Sequence, residues 1–205
     1  MQNKPKLIAF DVDGTLLTTS HVILPRTKQA LGQLAQYGHY VLLATARPPR
    51  SVAQIAANLG IHHTISIALN GAIVIRGNRI LWDVPMERLA VEEIIEESRQ
   101  WDLHANMMAG WNWFVEASGY WCEQEAAIVG FRPETVENLL AESMPAAHKV
   151  LLMGDSKGIA AYREWADSRN LPLNISLSKP TYCEIVNEDV SKAHALDQVA
   201  KMLKI

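Results

Sequence analysis

Over roughly the first third of the chain, apolar runs alternate with segments of helical periodicity. KLIAFD (6–11) is a short apolar run that ends in polar residues and glycine, the pattern of a strand covered on both faces in a parallel sheet. After a polar loop, Pro25 opens a segment with Ala30, Leu31, Leu34 and Ala35 at helical spacing, and Gly38 closes it. HYVLLATAR (39–47) repeats the buried-strand pattern, 48–59 reads as a second helix stopped by Gly60, and TISIAL (64–69) as a third strand. This β-α-β-α-β order predicts a doubly wound α/β layer. Asn70-Gly71 then turns into AIVI and RILWDV, two apolar runs separated by Gly77-Asn78, which is a hairpin signal.

From about Pro85 the rhythm changes. The pattern predicts a helix over 86–101, strands over 103–108 and 111–117, an irregular stretch, a helix over 134–143, a strand over 148–153, a helix over 155–169 and a strand over 173–178. Such an order describes an α+β layer with its own core. TYCEIVN (181–187) returns to a strand pattern, and 191–205 is helical with Ala195, Leu196, Val199 and Leu203 on one face. The expected organisation is a discontinuous α/β domain, 1–82 with 181–205, interrupted by an α+β domain over 83–180.

Composition narrows the function classes. The 205 residues are 49% apolar and 20% charged, with 19 basic against 22 acidic side chains and a net charge of −3. That balance is ordinary for a globular protein and supplies no footprint for nucleic acid or an anionic membrane. The four apolar residues Leu7–Phe10 are too few for a signal or membrane segment. Cys122 and Cys183 lie far apart outside any CxxC pattern, so a reducing, cytoplasmic setting is expected.

DVDGTLL (11–17) follows the first strand directly, at the carboxyl end where ligands of open α/β sheets collect. Asp11 is placed to act as a carboxylate nucleophile on phosphorus, and Asp13 to protonate a leaving oxygen. Gly14 lets backbone N–H groups approach a phosphate, and two carboxylates favour a hard cation such as Mg²⁺. An isolated DxD is often only a capped turn. Here the motif, with the pieces that follow, resembles the haloacid dehalogenase superfamily in its Cof-type, sugar-phosphatase-like branch. The resemblance implies a doubly wound core with an inserted α+β cap. It also implies an aspartyl-phosphate on Asp11, general acid and base work by Asp13, and Mg²⁺ held by Asp11 and the main chain of Asp13.

LLATARPP is similar to that family's second motif, with Thr45 as the phosphate-binding hydroxyl and Ala46 in place of a usual glycine. Arg47 either approaches the substrate phosphate or pairs locally. Asn70-Gly71-Ala72 resembles a family signature and equally suits a plain turn. Gly14, Thr15, Arg47, Asn70 and Gly71 are therefore the substrate-binding candidates. EIVNEDVSKAHAL (184–196) resembles the third motif, which makes Lys192 the cation that steadies the nucleophile. The family's fourth motif, GDxxND, lies on a strand that pairs beside the first strand, and it is not found. The resemblance therefore implies KLIAFD at an uncovered sheet edge, Leu196, Val199 and Leu203 less covered, and self-association through that edge. Gly154-Asp155 precedes Lys192 and lacks the ND pair, so Asp155 is read as a helix cap. Trp101, Trp111, Trp113 and Trp121, with His104 and Glu116, form either a substrate-facing wall or part of a core.

These residues imply a hydrolase acting on a small phosphorylated metabolite. The rival reading is an inactive relative that binds a phosphate ligand or a partner. A phospho-receiver module fits less well, because receivers carry the phosphoacceptor after the third strand and have no inserted layer.

Overall fold

The computed structural model describes residues 5–18, 20–169 and 171–205. Along the chain come β1 (Leu7–Phe10), α1 (Pro25–Gln36), β2 (Tyr40–Ala44), α2 (Pro49–Leu59), β3 (Ile65–Ala68), a 3₁₀ turn Leu69–Gly71, β4 (Ile73–Arg76) and β5 (Arg79–Asp83). Next are α3 (Arg88–Gln100), β6 (His104–Ala109), β7 (Asn112–Val115), α4 (Tyr120–Val129), β8 (Glu134–Thr135) and β9 (Lys149–Met153). The series ends with α5 (Ser156–Arg169), β10 (Leu173–Lys179), β11 (Tyr182–Asn187) and α6 (Lys192–Leu203). The chain divides into one unit of Met1–Asp83 with Ser191–Ile205 and a second of Val84–Val190. The return join thus lies at 190/191, and not at 180/181 as the sequence pattern suggested. The physical reason is β11, which hydrogen-bonds antiparallel to β9 and β10 and so completes the second sheet.

The first unit is a five-stranded sheet in the order β1-β2-β3-β4-β5. β1, β2 and β3 are parallel, with Leu7 opposite Tyr40 and Leu43 opposite Ser66, whereas β4 and β5 run as the expected antiparallel hairpin. Helices lie on both faces. Ala195 and Val199 of α6 are fully buried against Leu42, Ala44, Ile65, Ile67 and Val74, while α2 lies over the face that carries Ser66 and Ile75. Strand alternation explains the division, since neighbours along a strand point to opposite faces. β1 departs from its sequence pattern. It is apolar on both faces, yet Leu7, Ile8 and Phe10 are only half-buried and Ala9 is exposed, because among the described residues β2 is its one sheet neighbour. Leu196 and Leu203 are likewise partly buried, whereas Val199 is fully covered.

The second unit has a six-stranded sheet in the order β10-β11-β9-β6-β7-β8, antiparallel except for the short β7–β8 pair. One face packs under α3 and α5 through Ile94, Ile95, Met107, Val150, Leu152, Ile159, Tyr162 and Ile185. Cys183 sits in the same core, where burial pushes its thiol up to about 12. By strand alternation Asn106, Lys149 and Glu184 belong to the opposite face, and all three are buried. The Trp113 indole donates to Asn106 Oδ1 at 3.1 Å, and Lys149 Nζ donates to Glu184 Oε2 at 2.9 Å.

Two expectations for this unit fail together. Residues 134–143 do not form a helix. Glu134–Thr135 joins the sheet as β8, Leu139 N donates to Glu116 Oε1, and Arg88 donates to the carbonyls of Leu140 and Ala141. Tertiary partners therefore take the backbone groups that a helix would have paired internally. The helix lies earlier, in α4, within the stretch read as irregular. Gly119 precedes it, and Gly130 ends it in the left-handed conformation with its N–H on Ala126 O. Asp155 does cap α5, accepting from the N–H groups of Lys157 and Gly158 at 2.9 and 2.8 Å.

Removing Lys149 takes its charge away from Glu184, a carboxylate buried in the sheet. Lys149→Met is expected to destabilise the protein by about 3–5 kcal/mol in denaturant melts. The double variant Lys149→Met/Glu184→Leu should recover most of that loss, and failure to do so would show that the pair is not the source of the cost.

Candidate active site

Because β1, β2 and β3 are parallel neighbours in register, their carboxyl ends lie along one margin of the sheet. Asp11 follows β1 directly, Thr45 follows β2 and the Leu69–Gly71 turn follows β3. α6 returns to the same margin with Lys192 as its first residue. Lys192 Nζ donates to Asp11 Oδ1 at 2.6 Å, with both side chains a little under half exposed. Two residues 181 positions apart in sequence thus meet as nucleophile candidate and steadying cation, the pairing that the two motifs predicted.

Asp13 is engaged differently. Arg47 grips it with a fork, Nε to Oδ2 at 2.9 Å and Nη2 to Oδ1 at 2.7 Å, the two-point geometry that guanidinium and carboxylate share. The arginine is itself only 6% exposed and also donates Nη1 to Ser51 Oγ at 3.2 Å. Of the two roles open to Arg47, the structure therefore displays local pairing. Burial raises the Asp13 pKa, but the hydrogen bond and charge of Arg47, with smaller contributions from His21 and Lys192, outweigh it and hold the carboxyl below its usual range.

The other candidates sort unevenly. Thr45 is buried, and its hydroxyl oxygen accepts from Arg47 N at 3.2 Å, so in this state it shapes the entry to α2. Gly14 is exposed with φ of +73°, and a side chain there would meet open space, so its conformation and not crowding calls for glycine. Thr15 is exposed, with its N–H on Val12 O. Asn70 and Gly71 lie in the turn after β3, with Asn70 N donating to Thr45 O and Leu69 N to Arg47 O. Of the two expected cation ligands, Asp11 is paired with Lys192 and Asp13 with Arg47. Among the described residues no group of three or more His, Cys, Asp or Glu converges on a metal position.

Sequence reasoning missed His21 and Ser51. His21 adopts a left-handed φ of 56°, and its Nδ1 accepts from Arg47 Nη2 at 3.3 Å and lies 3.8 Å from Asp13 Oδ1. No spacing rule marks it, because a polar loop carries it there. Ser51 was legible only as the residue one helical turn after Arg47. In the second unit the four tryptophans do not act alike. Trp113 is core, Trp101 is 37% exposed with its indole donating to Glu97, and Glu116 pairs with Arg99. His104 keeps a buried Nε2 without a hydrogen-bond partner, and burial lowers its pKa.

The chain as a whole is similar to known proteins. Phosphatase YwpJ of Bacillus subtilis is 31% identical over 135 residues, which cover 66% of this chain and 41% of that protein. The matched stretch thus spans about two fifths of that relative's length. A haloacid dehalogenase-like hydrolase from Bacteroides thetaiotaomicron superposes with a TM-score of 0.89 at 22% identity, over 98% of this chain and 78% of that one. The subclass IIB sugar phosphatase BT4131 gives 0.78 at 16% identity, over 98% and 77%. Identities this low make the two structures witnesses to the fold alone. The family model described as haloacid dehalogenase-like hydrolase matches residues 8–205. That match takes in Asp11 just after β1, Arg47 beyond β2, the whole second unit and Lys192 on α6, and on it this chain belongs to the haloacid dehalogenase-like hydrolases.

Proposed function

We propose that the chain is a Mg²⁺-dependent phosphohydrolase of small phosphate esters, sugar phosphates or similar metabolites, working through an aspartyl-phosphate on Asp11. The observation that carries this reading is the 2.6 Å contact of Lys192 with Asp11 at the strand margin. A half-exposed carboxylate is accessible to substrate, and a cation fixed on one of its oxygens offsets the charge that gathers when a phosphoryl group arrives. The phosphatase name of YwpJ points the same way.

In the first step an Asp11 oxygen attacks phosphorus, the bond to the ester oxygen breaks, and Asp13 gives its proton to the departing alcohol. In the second, ionised Asp13 takes a proton from water as the water attacks the aspartyl-phosphate, which frees phosphate and restores Asp11. Arg47 favours the ionised form of Asp13, which suits the second step, and its fork must loosen for Asp13 to carry a proton in the first. Asp11 and the main chain of Asp13 are hard oxygen donors that fit Mg²⁺, which characteristically takes one or two carboxylates and fills its shell with water and substrate phosphate. When bound, the ion would neutralise phosphoryl charge.

Asp11→Asn should abolish turnover of a generic aryl phosphate and any acid-stable phosphoenzyme label, because an amide is a poor nucleophile and a poor metal ligand. Comparable turnover by that variant would remove the assignment. Mg²⁺ alone is expected to bind weakly in calorimetry and more tightly once orthophosphate is present; tight binding without phosphate would mean that a further protein ligand exists.

Asp13→Asn should slow turnover by about a hundredfold or more, the usual scale for a lost acid and base. It also carries a pH signature. A carboxyl lowered by pairing contributes stability above its unfolded value, about 3.9, and loses it as acid takes the pH through the lowered folded value. Melting curves of wild type and Asp13→Asn should therefore differ above about pH 4 and converge below it. The gap should be small, since Asp13 is about half exposed.

A further inference from the structure

The turn after β3 has a conformation that side chains resist. Leu69 and Asn70 have φ of 47° and 60°, and Gly71 follows at 113°, so three consecutive residues lie at positive φ, two of them not glycine. The strain is held from one side by β2, whose end accepts Leu69 N on Arg47 O and Asn70 N on Thr45 O, both at 3.0 Å. On the other side the turn meets the start of α6. A Cβ added to Gly71 would lie 2.6 Å from the Ser191 carbonyl carbon and 3.1 Å from Lys192 N, far inside van der Waals contact with backbone that has no soft end to yield. The Ser191 carbonyl is also the first acceptor of α6, taking Ala195 N at 3.0 Å.

From this geometry we infer that Leu69–Gly71 is a positioning element that seats the first turn of α6 and thereby places Lys192 Nζ on Asp11. The inference rests on the reading of Asp11 and Lys192 as the reacting pair and gives Gly71 a task other than substrate binding. The remaining anchors of α6 lie farther along the helix. Ala195 and Val199 are buried against the sheet, and His194 stacks on Trp82 with ring centroids 5.9 Å apart. These fix the helix axis and face, while the bare Gly71 Cα fixes how closely Ser191 and Lys192 approach the strand margin. A displacement of about 1 Å at such a point is enough to cost ~10²-fold in rate.

The test uses the full chain and reads Lys192 directly. Brief acylation with an N-hydroxysuccinimide ester, followed by peptide mass spectrometry, should show Lys192 reacting more slowly than exposed Lys28 and Lys201, because its amine is held on Asp11. In Gly71→Ala the Lys192 rate should rise severalfold toward theirs. Gly77→Ala serves as control, since that glycine is also left-handed, at 57°, but a Cβ there meets nothing. An unchanged Lys192 rate in a folded Gly71→Ala, or an equal rise in Gly77→Ala, overturns the inference. If Gly71→Ala does not accumulate as folded protein, Ser191→Ala decides: it removes the cap hydroxyl that accepts His194 N but keeps the backbone approach. Lys192 should stay protected in it, and exposure there would assign the seating to the hydroxyl.

Turnover supplies the second arm. Gly71→Ala should lose on the order of a hundredfold in kcat, and Gly71→Ala/Lys192→Ala should be no slower than Lys192→Ala alone, since residues acting through one contact are not additive. Multiplying losses would mean that Gly71 acts elsewhere. A wild type inert toward every phosphate ester offered would sink the hydrolase reading and leave the labelling comparison to judge the positioning.

Discussion

The ion pair between Asp11 and Lys192 is the contact on which the arrangement of the first unit turns. It joins the first residue of α6 to the end of the first strand, and it can form only if the sheet, α6 and the turn after β3 agree on one geometry. Buried apolar area holds α6 on the sheet without specifying where its first residue stops. A charge-assisted hydrogen bond is directional, and a glycine pressed against a carbonyl is a distance limit. Together these convert a loosely specified packing into a defined position for one amine.

Asp13 and Arg47 form the complementary constraint. A buried arginine needs a partner, and the fork on Asp13 supplies it while Ser51 and His21 take part of the remaining donor capacity. The same contact that makes Arg47 tolerable inside the unit fixes the side chain expected to handle protons. Structure and chemistry share one interaction, so a change meant to alter reactivity at Asp13 also alters the environment of Arg47.

The readable parts of the sequence were those in which local pattern and tertiary demand coincide. β2, β3 and β4 are buried runs bounded by turn residues, and together with β5 across the Gly77-Asn78 turn they lie where the pattern put them. Asp11 and Lys192 were legible because each sits at an element boundary with a motif around it. The Val136, Leu139, Leu140 spacing was helical in sequence, but Glu116 and Arg88 claimed that backbone, and no local rule reports partners so distant along the chain. α4 went unread because its buried positions include Cys122 and Glu125, residues that do not announce an apolar stripe. β11 was legible as a strand but not as a member of the second sheet, since a strand does not name its neighbour. The positive φ at Asn70 had a sign in the Asn-Gly pair, whereas that at Leu69 had none, because a leucine does not demand one.

The second unit begins and ends at nearly one point. Asn187 Nδ2 donates to Pro85 O at 3.1 Å, so the strand leaving that unit is tied to the segment that enters it. For an unfolded chain, bringing α6 back to the first sheet means closing a loop of about a hundred residues. Once Val84–Val190 has folded, the same closure spans only the few residues on either side of the Pro85–Asn187 contact. Closure entropy grows as the logarithm of loop length, so the preformed insertion lowers the cost of docking α6 by roughly 2 kcal/mol. The inserted unit is thus a folding clamp for the domain it interrupts, and damage to its core would weaken the seating of Lys192 without touching a single residue of the site.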